Sequence, residues 1–194
     1  SQWSDKLISG DSVIYDVIQT VDSTGFRYSP THSNTKNAVL FLGCSFTFGA
    51  GLNDDETLPY LFEQSSSGFL QGLNTGGNGY GVHHTLSLLQ NRLETSLTKD
   101  KILSAGIFTA ITDHVFRGMG RSTDNLGPQY VLSDNGQLIF NGVLLETNKY
   151  DRILRYELGK SHLLKRLIYR KKPAREGEID LFMAMLRESR DLFI

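Results

Sequence analysis

At 194 residues the chain has the length of one domain, and 39% hydrophobic content with 10% aromatics is enough to build a core. A formal net charge of −1 argues against a dedicated nucleic-acid or membrane surface. The single cysteine, Cys44, rules out an internal disulfide, and no apolar run reaches the length of a membrane span.

Residues 12–28 alternate and are rich in β-branched side chains, which predicts an extended strand with a turn at 22–25. A polar loop follows over 29–37. Val39 to Leu42 is an unbroken apolar run, the pattern of a strand buried on both faces. Gly43 ends it, and Ser45 stands two residues further on. Thr57 is placed to cap a helix whose first turn holds Pro59. Residues 68–73 predict a short strand leading into the Gly-rich turn 74–81. Residues 82–97 predict an amphipathic helix with Leu86, Leu88, Leu89, Leu93 and Leu97 on its apolar stripe. Residues 101–111 then predict a buried strand. Strand, turn and helix thus alternate, which implies a parallel sheet with helices on both faces.

Beyond Arg117 the pattern changes. Residues 118–127 are polar and Gly-rich. Residues 129–146 predict a β-hairpin insertion turning at Asp134-Asn135-Gly136 in a type I′ turn. Residues 150–172 predict a basic amphipathic helix stopped by Pro173, its charge forming a solvated face. A last helix over 176–193 carries Ile179, Leu181, Phe182, Met185, Leu186 and Leu192 as its apolar residues.

A serine just past the carboxyl end of a buried parallel strand stands where open α/β sheets place ligand chemistry. The glycines at 76, 77, 79 and 81 lack the dinucleotide spacing, and no Lys-Ser/Thr follows Gly49 to make a phosphate loop, so no cofactor is predicted. No His, Cys, Asp and Glu cluster has metal-ligand spacing, so no metal is predicted either. Cys44, at the strand's end, is expected to be a buried, inert thiol. His83 and His84 are expected to cap the helix they open or to lie on the surface. His32 and His162 lie in ordinary polar settings.

Gly43-Cys44-Ser45-Phe46-Thr47-Phe48-Gly49 resembles the first block of the SGNH (GDSL-like) hydrolase family, with Cys44 at the position of that block's Asp. Asn74-Thr-Gly-Gly-Asn-Gly-Tyr-Gly81 is similar to the second block, and Ile111-Thr-Asp-His-Val-Phe-Arg117 is a weaker match to the third. The matches run in order across residues 20–120. Asp22-Ser-Thr-Gly-Phe-Arg27 also looks like bacterial members, a structural feature in which Phe26 packs on the sheet.

The resemblance implies a three-layer α/β/α sandwich of the flavodoxin-like type, here with the hairpin inserted. It implies that Ser45 is the nucleophile. A serine hydroxyl needs a base within reach and donors aimed at the oxyanion that forms. The Ser45 and Gly79 amides are the implied donors. Thr112 stands where the family has a donor Asn, and either its hydroxyl or the neighbouring His114 fills that role. Asn78, Asp113 and Arg117 fall on the substrate side. Asn74 and Asn78 also brace the Gly-rich turn, Asp113 fixes its loop by hydrogen bonds, and Arg117 holds either Asp113 or a substrate carboxylate.

The family's late Asp-x-x-His segment occurs nowhere in the sequence. The resemblance therefore implies either that two further strands and the catalytic Asp and His lie beyond residue 194, which is the expectation here, or that the base has moved, or that the chain is not an enzyme. The implied activity is that of an O-acyl esterase or deacetylase on carbohydrate or lipid esters, or of an O-acetyltransferase. The reading from another class is a non-catalytic binding domain that keeps the pocket without the base. The expected partners are a small-molecule or carbohydrate ester and a second copy met through an exposed sheet edge, with no nucleic acid. Bacterial cytoplasm and periplasm both fit.

Overall fold

A computed structural model describes residues 1–31, 33–92, 98–120, 127–144 and 174–193. The helix expected over 150–172, the ends of the helix and hairpin at 93–97 and 145–146, residues 121–126 of the polar stretch, and His32 and His162 lie outside the described residues.

The described chain is a mixed α/β fold. Its elements are β1 (Gln2–Ser9), β2 (Ser12–Thr20), β3 (Asn37–Gly43), α1 (Ser45–Phe48), a 3-10 turn (Asp54–Glu56), α2 (Leu58–Ser65), β4 (Gln71–Asn74), α3 (Val82–Arg92), β5 (Ile102–Thr109), α4 (Asp113–Arg117), β6 (Pro128–Leu132), β7 (Leu138–Val143) and α5 (Glu176–Asp191).

β3 is the middle strand of a parallel three-stranded sheet in the order β4-β3-β5. Every residue from Ala38 to Gly43 is buried, as an apolar run without alternation requires of a strand covered on both faces. Side chains alternate along a strand. Ala38, Leu40 and Leu42 therefore share one face, where they cluster with Leu73 and with Leu89 of α3. Phe41 points to the other face and meets Phe62 of α2 edge-on, with ring centroids 5.2 Å apart. Gly72 lies under the same helix, because a Cβ there would sit 2.2 Å from the Pro59 carbonyl oxygen. Helices thus cover the sheet on both sides. A second cluster of Val82, Leu86, Tyr130, Leu181 and Met185 seats β6 and α5 on α3.

Several expectations change in detail. β5 is not a buried strand: Ile102 is 60% exposed and Ile107 39%. It is an edge that pairs only with β3 among the described strands, while α2 packs over β4 at the opposite edge. Thr57 does occupy the N-cap of α2 but makes no side-chain cap; its hydroxyl donates to the Asp54 carbonyl instead, at 3.4 Å. β4 begins at Gln71 rather than 68, because Ser67 and Gly68 have positive φ and belong to a turn closed on Ser66. The β6–β7 turn is not type I′. Of its residues only Gly136 has positive φ, at +79°, and Gly136 N–H donates to the Ser133 carbonyl while Ser133 and Gln137 close the pair. Three residues span the gap, so a type I turn followed by one left-handed glycine suffices.

The extended run 12–28 is split. β2 stops at Thr20, and the Asp22 carboxylate accepts from the Thr24 and Phe26 amides in a turn closed by a Val21–Arg27 bridge. β2 pairs antiparallel with β1, outside the parallel sheet.

Candidate functional site

The turn that carries Ser45 is set by what precedes it. At Gly43 φ is +149°, and a Cβ there would lie 2.4 Å from Thr47 Oγ1, so the sharp exit from β3 requires glycine. Cys44 follows as a fully buried free thiol. Ser45 is the first residue of α1 and is half-buried. Its hydroxyl makes no hydrogen bond among the described residues. Its amide, at the start of a helix, has no intrahelical acceptor. Gly49, in the left-handed region, ends α1 after one turn by donating to the Ser45 carbonyl at 3.0 Å.

The Gly-rich loop is stitched to this turn. Thr75 donates from its amide and its hydroxyl to the Phe41 carbonyl, at 2.9 and 2.8 Å. Gly77 N–H donates to the Gly43 carbonyl at 3.2 Å. Asn74 Nδ2 donates to the Thr47 and Phe48 carbonyls at 3.0 and 3.4 Å, and its Oδ1 accepts from Gly76 N–H at 3.1 Å. Gly76 passes so close to α1 that a Cβ would be 2.4 Å from the Phe48 nitrogen. The loop then turns back, Tyr80 N–H to the Gly77 carbonyl, with Gly79 at φ +78°. Asn78 is exposed and Gly79 half-buried at the tip. The Gly79 amide has no acceptor among the described residues.

The third segment leaves β5 next to this turn, since Thr109 pairs with Gly43. Thr112 is exposed at the N-cap of α4, with no side-chain cap bond. Arg117 donates from Nε to Asp113 Oδ2 at 2.9 Å and from Nη1 to the Tyr80 carbonyl at 2.7 Å. Arg117 thus holds Asp113 and joins α4 to the Gly-rich loop. His114 is fully buried, its ring 5.3 Å from that of Phe108. Its Nδ1 accepts from the Ile111 amide at 3.3 Å, which leaves the proton on Nε2, an atom without a partner among the described residues. Burial lowers its pKa to about 4; the Arg117 charge adds to this and Asp113 opposes it.

His84 behaves as expected and His83 does not. His84 Nδ1 accepts from the Gly81 amide at 3.3 Å, half of a capping box at the start of α3, and its ring stacks on Tyr80 with centroids 4.4 Å apart. His83 is fully buried, and neither ring nitrogen has a partner among the described residues. α3 is enclosed by the sheet on one side and by α4 and α5 on another, so its buried surface is wider than the leucine stripe. Burial first, then neighbouring charges, lowers His83 to about 2 and His84 to about 4.

Arg27 supports α1 from its other side. Its side chain is fully buried, pairs with Asp54 at 3.0 Å, donates to the Leu52 carbonyl at 2.9 Å, and lies 5.0 Å over the Phe48 ring. The signal for that role is an Arg followed within one domain by the acidic pair Asp54-Asp55, which spacing alone does not connect.

Among the described residues no group of three His, Cys, Asp or Glu side chains is arranged to hold a metal ion, and no helix is long and apolar enough to cross a membrane. A cleft between the β6–β7 turn and α5, lined by Gln137, Ile139, Arg187 and Asp191 among others, includes neither Ser45 nor the Gly-rich loop.

No family model matches the chain, and no curated protein matches it. The chain is similar to two solved structures of the esterase AlinE4, one described as an SGNH-hydrolase family esterase and the other a serine-to-alanine mutant. Each is 16% identical to it, with a TM-score of 0.38, over 84% of this chain and 75% of that one. A likeness of that size assigns no residue a role.

Proposed function

We propose that the chain is a serine-dependent ester hydrolase with Ser45 as its nucleophile. The observation behind this reading is the half-buried hydroxyl of Ser45 at the carboxyl end of the central parallel strand, on a turn bonded to the loop that presents the Gly79 amide, both groups without a partner among the described residues. In this reading Ser45 Oγ attacks the ester carbonyl, its proton passes to a base, and the alcohol leaves. Water then releases the acyl group from Ser45. Transfer of that group to a sugar hydroxyl uses the same residues. The Ser45 and Gly79 amides would receive the oxyanion, with the Thr112 hydroxyl as third donor. Asn78 at the loop tip and the Asp113–Arg117 pair would flank a carbohydrate or lipid ester. His114, buried with Nδ1 engaged, fits a positional role on α4 better than direct donation.

The second reading, a binding domain without chemistry, is favoured by the absence of an Asp-x-x-His segment from the sequence. A fluorophosphonate probe applied to the protein separates the two. Labelling that disappears in Ser45→Ala supports the hydrolase, and a wild type inert to the probe supports the binder. The β5 edge, with Ile102 and Ile107 exposed, is the surface we assign to self-association. Sedimentation that stays monomeric at high concentration would remove that assignment.

A further inference from the structure

The geometry points to Asn74 as a positioning residue that sets the Gly79 amide against Ser45. This inference rests on the ester-hydrolase reading above.

Asn74 is the last residue of β4 and is 2% exposed. It pairs with Phe41, so its side chain shares the face on which α1 lies. There one amide group closes two backbone segments. Nδ2 binds the Thr47 and Phe48 carbonyls, which lie at the end of α1 and lack intrahelical donors. Oδ1 binds the Gly76 amide two residues along its own chain.

No other side chain of this size offers both functions. Aspartate keeps the acceptor and loses the donor, and leucine keeps the volume and loses both. The side chain is therefore spent on holding α1 and the Gly-rich loop at one separation. Gly76 has no Cβ, and the two segments touch there. Ser45 is two residues before Thr47 on one side of this clasp. Gly79 is three residues past Gly76 on the other. Donors act on an oxyanion only within hydrogen-bond distance, and a misplacement of roughly 1 Å can cost about 100-fold in rate.

The test is Asn74→Asp beside Asn74→Ala in the full-length protein, with kcat and KM measured on a p-nitrophenyl ester and melting followed by circular dichroism. Aspartate is isosteric and keeps the bond from Gly76, so it removes the donor and places a charge beside two carbonyls. The expected result is cooperative melting in Asn74→Asp with kcat reduced about 10- to 100-fold and KM within about twofold of wild type. Three results overturn the inference. Unchanged kcat in both variants shows that the clasp does not govern the reaction. Loss of cooperative melting in Asn74→Asp shows a purely structural role. A wild type without activity and inert to the phosphonate probe removes the hydrolase reading itself, which the first two results leave standing.

Discussion

Arg117 donates from Nη1 to the Tyr80 carbonyl at 2.7 Å while its Nε holds the Asp113 carboxylate at 2.9 Å. Two segments that follow different strands of the sheet, β4 and β5, are joined by this one guanidinium. Tyr80 is also held by its ring, which stacks on His84 and lies close to the bare Cα of Gly77. The far side of the Gly-rich loop is therefore anchored to α4 and α3, as its near side is anchored to α1 by Asn74.

Arg117→Met keeps most of the stem and removes the donors. It should destabilise the fold by about 1–2 kcal/mol, the scale of losing a partly buried charged hydrogen-bond donor. Amide hydrogen exchange at Tyr80 and Gly81 should accelerate. Unchanged exchange there would mean that the loop is held without Arg117.

Gly76→Ala tests the close approach of the loop to α1. A Cβ 2.4 Å from the Phe48 nitrogen meets backbone on a short helix and cannot be relieved by a side-chain rotation. A loss of about 1–3 kcal/mol is expected in urea denaturation. Gly136→Ala, in open space but at φ +79°, should cost about 1 kcal/mol from backbone strain alone.

Arg27→Met removes the ion-pair partner of Asp54, which still accepts from the Thr20 amide, and the donor to the Leu52 carbonyl. Removing one member of a buried ion pair typically costs about 3–5 kcal/mol. Asp54 retains some solvent contact, which places the expected loss near the lower figure. Equilibrium unfolding of the variant measures it directly.

Stability should fall in mild acid because of His83, His84 and His114. Their folded pKa values lie at about 2, 4 and 4, below the ordinary 6.5. Below pH 6.5 the unfolded chain takes up protons that the folded chain excludes. The contribution of the neutral imidazoles is thus complete above that pH and declines as pH falls, by about 1.4 kcal/mol per pH unit for each histidine. For His84 and His114 the decline levels off near pH 4. Arg117 acts against protonation of all three, and Asp113 partly offsets it at His114. His83→Phe should reduce the slope of unfolding free energy against pH between 6.5 and 4.5 by about one proton. An unaltered slope would place the titrating groups elsewhere.

Local chemistry determined a good part of this protein. The apolar run Val39–Leu42 has no polar position to show to water, so it had to be a strand covered on both faces. The Gly-x-Gly spacing around Gly79 demanded a turn with positive φ, and Asn-Gly at 135–136 marked a hairpin. Tertiary structure decided what depends on neighbours. The apolar composition of β5 does not distinguish a central strand from an edge, because burial belongs to the surrounding sheet rather than to the segment. Likewise β1 shows no clean alternation of polar and apolar residues, and only its pairing with β2 makes it a strand. His83 looked like a helix-end residue until α4 and α5 closed over it. The hairpin's turn type followed from the number of residues left between paired strands, which is a matter of register. The clasp of Asn74 on α1 and the bond from Arg117 to Tyr80 join residues 26 to 37 positions apart. Sequence shows such residues as polar side chains near turns; only the folded sheet, by bringing the ends of β3, β4 and β5 to one rim, gives each its partner.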